Sequence, residues 1–358
     1  MSQLVLPRSA GDPVGEFDFS PMQGDYGDPE REYVTTQEGV AVLNFSSAGK
    51  LEVSGQNAVQ FLNGLVTTDI KALSPGSGAL AAFLNIHAKL LALCRIYNTG
   101  SQFLLELDGG NREKVFRNLS RFVPAGGFFV NDVSDELALI SLQGPRAAEM
   151  ISALTGTAVG AEAYSNGERR LTSATVLVAA HPRCSRYGFD LFVARADAAT
   201  VWREITENGS SFGARAVGAD AFEIARIESG IPKEPEDVNE NHILLEAGFE
   251  EAISYTKGCY LGQEIIARIH WRGQPAKRLM GLRIEGAEVP ARGTALYGAD
   301  GKKVGEVTSS AMSPKLKKII ALGYVHRYYL TPGTRLTLKS GDSVVGEAEV
   351  VLLPFSDA

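Results

Sequence analysis

From residue 39 onward short apolar runs alternate with breaks of Gly, Pro, Asn, Asp and Ser, and the period of each run decides its element. Val40-Ala41-Val42-Leu43-Asn44-Phe45 is continuously apolar but for one residue, as a buried strand is, and a Ser-Ser-Ala-Gly break separates it from a second strand at Leu51-Glu52-Val53. Val59, Phe61, Leu62 and Leu65 then fall on one helical face, with Ser54 as the expected N-cap. Strands are predicted over 79–83, 90–97 and 103–107, followed by an amphipathic helix over 111–122 that carries Val115, Leu119 and Phe122 at spacings of four and three. A strand over 137–142 leads into a helix whose first turn holds Pro145, where a missing N–H costs nothing. Strands over 174–179 and 189–193 precede helices over 198–208 and 219–229, closed by Gly209 and Gly230. Hairpins mixed with strand–helix alternation imply a mixed sheet, so the expected class is α+β.

Past Arg278 the texture changes. Six short strands are predicted over 279–284, 295–297, 303–310, 319–325, 335–339 and 344–352, separated by turns such as Ala299-Asp300-Gly301, Thr331-Pro332-Gly333 and Ser340-Gly341-Asp342. Regular turn-spaced strands of this kind build a small all-β barrel or sandwich of about eighty residues. The expected organisation is a flexible lead-in over 1–33, an α+β region over 34–277 and a β-barrel domain over 278–358. Four prolines and six acids crowd the first 30 residues, without the apolar run of an export signal or the Arg-rich pattern of a transit peptide.

Composition narrows the function classes. With 44% apolar and 22% charged residues the 358-residue chain reads as ordinary folded domains, and no apolar run approaches the roughly 18 residues of a membrane span. A net charge of −7 opposes nucleic-acid or anionic-membrane binding over the whole surface, so any anion site must be local. Three cysteines, Cys94, Cys184 and Cys259, without C-x-x-C spacing, fit a reducing cytoplasm and give no cluster or zinc scaffold. Cys94 lies in an apolar run and reads as core. The five histidines are scattered without metal-ligand spacing, so no metal site is expected.

The stretch with the most chemistry is Lys257-Gly258-Cys259-Tyr260-Leu261-Gly262-Gln263-Glu264, continuing to Arg268. It sets a thiol between two glycines, with a cation on one side and a short helix predicted from Gly262 to Ile269 on the other. A neighbouring ammonium and a helix N-terminus both favour a thiolate, which makes Cys259 a candidate reactive or ligating group; a small Cys filling a turn is the other reading. Between Arg268 and Arg278 the cations Arg268, Arg272, Lys277 and Arg278 occur with no acid, beside His270 and Trp271. Forked cations next to an indole suit a ligand with an aromatic ring and carboxylates, and equally suit a solvated entry to the last domain.

The octapeptide resembles the K-G-C-[FY]-x-G-Q-E motif of the folate-binding YgfZ family, relatives of the glycine-cleavage T-protein. Gly55-Gln56-Asn57-Ala58 with 61–70, Leu142-Gln143-Gly144-Pro145-Arg146-Ala147, Arg226-Ile227-Glu228-Ser229-Gly230-Ile231-Pro232, and Arg272-Gly273 with Lys277-Arg278-Leu279 match further family stretches in the family's order, so the resemblance runs from Val34 to Leu353. It implies a T-protein-like fold of two interleaved α+β subdomains plus a C-terminal β-barrel, and tetrahydrofolate or a one-carbon-substituted folate as ligand. It further implies a cytoplasmic role in assembly or repair of iron-sulfur clusters, with client or assembly proteins as partners, radical-SAM tRNA-modifying enzymes among the clients, and no direct nucleic-acid or membrane partner. On that resemblance Cys259 is the working thiol, Lys257 and Arg268 hold it or a ligand anionic, and Gln263 and Glu264 orient the loop. Lys89, Arg226, Glu228, Trp271 and Arg272 are the candidate folate contacts.

Three departures qualify the activity. The paired aspartates of the T-protein's G-G-x-x-D-D stretch are replaced by Ala92 and Leu93; its G-x-T-G-E pterin contact has no counterpart in 182–190; and a D-x-K-G-K pattern stands here as Asn85-Ile86-His87-Ala88-Lys89, keeping the last lysine alone. Without a carboxylate at 92 or 93, proton transfer or charge stabilisation at the folate nitrogen has no evident source. Aminomethyl transfer from glycine is therefore not expected; a folate-dependent aminomethyl- or methyltransferase acting on a small amine, which would need such a carboxylate, is the competing expectation, and a folate-binding protein with a structural Cys259 the third.

Overall fold

In a computed structural model the described residues are 17, 19–160 and 162–355. They fall into two compact units, each assembled from separate stretches: the described residues up to 47, with 135–160 and 168–225, in the first, and 48–134, 162–167 and 226–355 in the second. Of the expected lead-in, residues 1–16 and 18 lie outside the described residues. Its later part is structured: helix Pro29–Glu38 starts at the N-cap Asp28, whose carboxylate accepts the Arg31 N–H, and Phe17, Phe19 and Tyr26 pack against the core that holds Trp202.

The first unit is built on a six-stranded mixed sheet. Its strands pair in the order Ala214–Ala216, Val40–Asn44, Leu137–Gln143, Gly188–Ala194, Thr175–Ala180 and Asn166–Arg170, and the first two are parallel. Helices Ala147–Thr155 and Ala198–Asn208 cover one face through Met150, Ile151, Val201, Trp202 and Ile205. The helix expected to contain Pro145 begins at Ala147, so the proline lies just outside its first turn. On the other face Arg183 makes a forked contact with buried Asp190 (Nη2 to Oδ2 2.6 Å) and lies 4.3 Å over the Phe45 ring.

The second unit contains a five-stranded antiparallel sheet ordered Gly78–Leu84, Leu90–Asn98, Phe103–Leu107, Gly49–Ser54 and Phe129–Asp132. Helices Ala58–Leu65 and Arg112–Ser120 pack on it through Leu62, Val115 and Leu119. Ser54 ends a strand rather than capping the helix; Asn57 takes the N-cap place, because Gly55 carries a φ of +105° that turns the chain first. Strands Lys277–Glu285, Lys318–His326, Lys303–Ser313, Ala295–Tyr297, Arg335–Ser340 and Ser343–Val351 pair in that order and close as a barrel. The T-protein-like α+β architecture with a C-terminal barrel is therefore present. Strands Asn166–Arg170 and Phe129–Asp132 carry too many polar or exposed positions to signal themselves by alternation. Among the described residues no helix is long and apolar enough to cross a membrane.

Candidate functional site

The octapeptide is held by contacts that reach back almost two hundred residues. Lys257 is buried, and its ammonium donates to the carbonyl oxygens of Asn63 (2.7 Å), Val66 (2.5 Å) and Thr68 (2.6 Å). Those carbonyls lie at and just past the end of helix Ala58–Leu65, where the last C=O groups lack helical partners and carry the negative end of the dipole. Three acceptors use all three N–H groups of the ammonium. Lys257 thus anchors the loop to the helix end, with its three N–H groups taken by backbone carbonyls. Burial lowers its pKa to about 8, opposed by the Asp69 carboxylate.

The same early stretch is tied to the loop a second time. The Thr67 hydroxyl donates to the Ala252 carbonyl at 2.5 Å, and the Ser254 N–H donates to the Thr67 carbonyl at 3.0 Å. The Val-Thr-Thr-Asp segment and the octapeptide are therefore two halves of one structural joint, which the sequence separates by about 190 positions.

Beyond the anchor the loop turns outward. Gly262 has a φ of +86°, and a Cβ built there would lie 3.0 Å from Ala88 Cα and 3.0 Å from the Asn85 carbonyl oxygen. Only glycine meets both demands easily, and the close approach seats the loop on the hairpin turn 85–89. Ala88 itself holds a φ of +56°, where the resembled pattern has glycine. Helix Gln263–Arg272 follows with Gly262 as N-cap, starting and ending later than expected. Gln263 closes the turn: its Oε1 accepts the Tyr260 N–H and its own N–H donates to the Tyr260 carbonyl, each at 3.3 Å. Tyr260 is buried, and burial pushes its hydroxyl up to about 12.

Cys259 is exposed at the top of this turn, three residues before the N-cap. Cys94 and Cys184 are buried; burial raises the Cys94 pKa well above the ordinary thiol value and pushes Cys184 up to about 12, so neither is a working thiolate. Leu261 and Ile86 stand exposed on the loop and the hairpin that Gly262 brings together, and Glu264 and Arg268 are exposed on the helix.

The candidate folate contacts divide. Trp271 is 72% exposed, edge-on to His270, which stacks on Tyr255 at 3.9 Å; Arg272 is exposed in the last helical turn. Lys89 is half-buried, with its ammonium donating to the Asn241 carbonyl at 2.8 Å. Arg226 and Glu228 have internal partners instead. Arg226 is 1% exposed and donates to the Ile231 carbonyl (2.8 Å), Asp237 (2.7 Å) and the Ser309 hydroxyl (2.9 Å), while Glu228 accepts from the Ser313 hydroxyl at 2.5 Å. Both fasten the end of helix Ala219–Glu228 to the barrel strand Lys303–Ser313, and Arg226 also holds the segment that follows, a role that a helix-terminal R-I-E sequence does not announce.

Ala92 and Leu93 are both buried among apolar neighbours. A carboxylate does come close from elsewhere: Glu234 Oε2 accepts the Leu93 N–H at 2.9 Å, and burial raises its pKa to about 6. Nothing in the sequence pairs residue 234 with the strand. Among the described residues no group of three or more His, Cys, Asp and Glu is placed to hold a metal ion.

Residues 19–257 match the model of the GCVT N-terminal domain, and residues 277–357 that of the glycine cleavage T-protein C-terminal barrel domain. An aminomethyltransferase of Saccharopolyspora erythraea is 29% identical over 90% of this chain and 89% of its own length, and one of Bacillus subtilis 27% identical over 94% and 92%. The crystal structure of glycine cleavage system aminomethyltransferase T from Bartonella henselae superimposes with a TM-score of 0.81 at 22% identity, covering 91% of this chain and 89% of that one, a likeness of fold.

Proposed function

This chain belongs to the glycine cleavage T-protein family, and within it we propose that the protein binds tetrahydrofolate and assists the assembly or repair of iron-sulfur clusters through Cys259. The observation that carries the reading is the division of labour in the octapeptide: Lys257, Gly262 and Gln263 fix the loop, and the one thiol left accessible is presented to solvent. An exposed thiol on an anchored turn can ligate iron or exchange with a client protein, and a buried one can do neither. The exposed Leu261 and Ile86 give a client an apolar footing beside the thiol, and Arg268 gives it a cation.

Bound tetrahydrofolate would supply one-carbon chemistry. The residues present fit it in part: Trp271 offers an indole face to a ring, and Arg272 and Lys89 offer cations to carboxylates. Arg226 and Glu228 already have internal partners and are left out of the proposed contact set.

The second reading is a folate-dependent aminomethyl- or methyltransferase, favoured by curated relatives called aminomethyltransferase that align over nine-tenths of the chain. Against it stand the apolar residues at 92 and 93. The experiment is to measure several [4Fe-4S] enzyme activities in cells lacking the protein, rescued with wild type or Cys259→Ser at matched expression. Rescue by wild type alone is the expected result. Activities indifferent to deletion and rescue would remove the cluster reading and leave the transferase.

A further inference from the structure

A cluster around His242 has no part in presenting Cys259. His242 is 6% exposed and stacks on the Tyr324 ring at 4.2 Å with an interplanar angle of 9°. Its Nδ1 accepts the Asn239 N–H at 3.2 Å, so the neutral imidazole carries its proton on Nε2, as an N–H available to an acceptor. Its backbone carbonyl accepts the Leu90 N–H at 3.1 Å, which sets the residue beside Lys89. Lys89 gives one N–H to Asn241 and keeps two. Lys277 has its ammonium 4.6 Å over the Tyr324 ring and no ion pair among the described residues.

Burial first, then the Lys277 and Lys89 ammonium groups, push the His242 pKa down to about 4, so the imidazole stays neutral under ordinary conditions. Glu306 acts in the opposite sense, and its carboxylate is taken by Lys303 at 3.0 Å. In a chain of net charge −7, Lys277 shares the Tyr324 ring with His242, Lys89 bonds the carbonyl of the adjacent Asn241, and neither ammonium has a carboxylate partner among the described residues. That is a local positive potential beside an imidazole N–H, and an oxyanion completes it.

We propose that Lys89, Lys277 and the Nε2–H of His242 form a small-oxyanion site that takes a carboxylate or phosphate group. Lys89 is also a proposed folate contact, so the inference deepens that reading at one residue; its test uses no folate. The intact chain, labelled at histidine, is titrated by NMR with inorganic phosphate, with a glutamyl dipeptide, and with chloride at matched ionic strength, the His242 signal being assigned by its loss in His242→Gln. A saturable shift is expected, with the His242 midpoint rising by about one pH unit as the anion offsets the ammonium charges. Lys277→Gln, at a half-exposed position, keeps the fold and weakens binding about tenfold or more. Saturation by phosphate alone identifies a phosphate ligand, and tighter saturation by the dipeptide a glutamyl carboxylate. A shift that follows ionic strength alike in all three salts, or binding undiminished in Lys277→Gln, overturns the site. Calorimetry that finds no folate binding beside a saturable phosphate shift would remove the folate reading and leave this one standing.

Discussion

Two residues at positive φ meet in the hairpin joint, one a glycine and one not. Gly262→Ala adds a Cβ at φ +86° against Ala88 and Asn85, and combines left-handed strain with close contact. We expect it to lose about 2 kcal/mol in denaturant unfolding. Ala88→Gly relieves a positive φ at a neighbouring position and should gain about 0.5 kcal/mol, the strain relief being partly offset by the entropy of the unfolded glycine. Equal losses in both variants would mean that packing, not backbone conformation, governs the joint. Lys257→Met leaves three carbonyls without their donor and is expected to destabilise by about 3 kcal/mol. A loss of function in Lys257→Met at unchanged stability would support the sequence reading, in which this ammonium holds the thiol or a ligand anionic. The lysine was legible as part of the motif; its partners were not, because a carbonyl acceptor leaves no mark in the identity of the residue that bears it.

At the scale of elements, strand Leu90–Asn98 shows how a ladder is finished from outside. Its neighbour Phe103–Leu107 pairs as far as Cys94 with Leu107, and the next free N–H, that of Leu93, is taken by the Glu234 carboxylate. Burial raises the Glu234 pKa from an ordinary 4.5 to about 6, so the folded state binds more protons than the unfolded between those values. The stability this group contributes is full below pH 4.5 and is lost as pH rises through 6, a swing of about 2 kcal/mol. His242 works in the other direction: its pKa is pushed down to about 4, so its contribution is present above about 6.5 and is lost as pH falls through 4. Glu234→Gln keeps an acceptor for Leu93 and removes one titration alone. Its stability relative to wild type should therefore improve by about 2 kcal/mol between pH 4 and pH 7.5 in urea unfolding. A constant difference across that range would place the carboxylate in solvent. Most elements were legible because periodicity is local; several ends fell one to three residues from their predicted places, and a partner far along the chain, such as Glu234 for Leu93, left no local sign.

At the scale of the whole molecule, ligand binding is read as stability. Tetrahydrofolate at a hundred times its Kd should raise unfolding free energy by about 2.7 kcal/mol. Cys259→Ser is expected to show the same rise, since the thiol is proposed to meet a client and not the folate, and Trp271→Ala a smaller one. A rise abolished by Cys259→Ser would put the thiol in the folate contact. The sequence by itself determined the α+β class, the change to turn-spaced strands past Arg278 and the isolation of one informative cysteine, because patterning and turn chemistry act over a few residues. Only the tertiary structure decided that Lys257, Arg226 and Glu228 fasten the protein internally, that Cys259 faces solvent and that Glu234 reaches Leu93. A polar side chain's partner is chosen by what the fold brings within about 3 Å, and residues far apart in sequence carry no sign of that meeting.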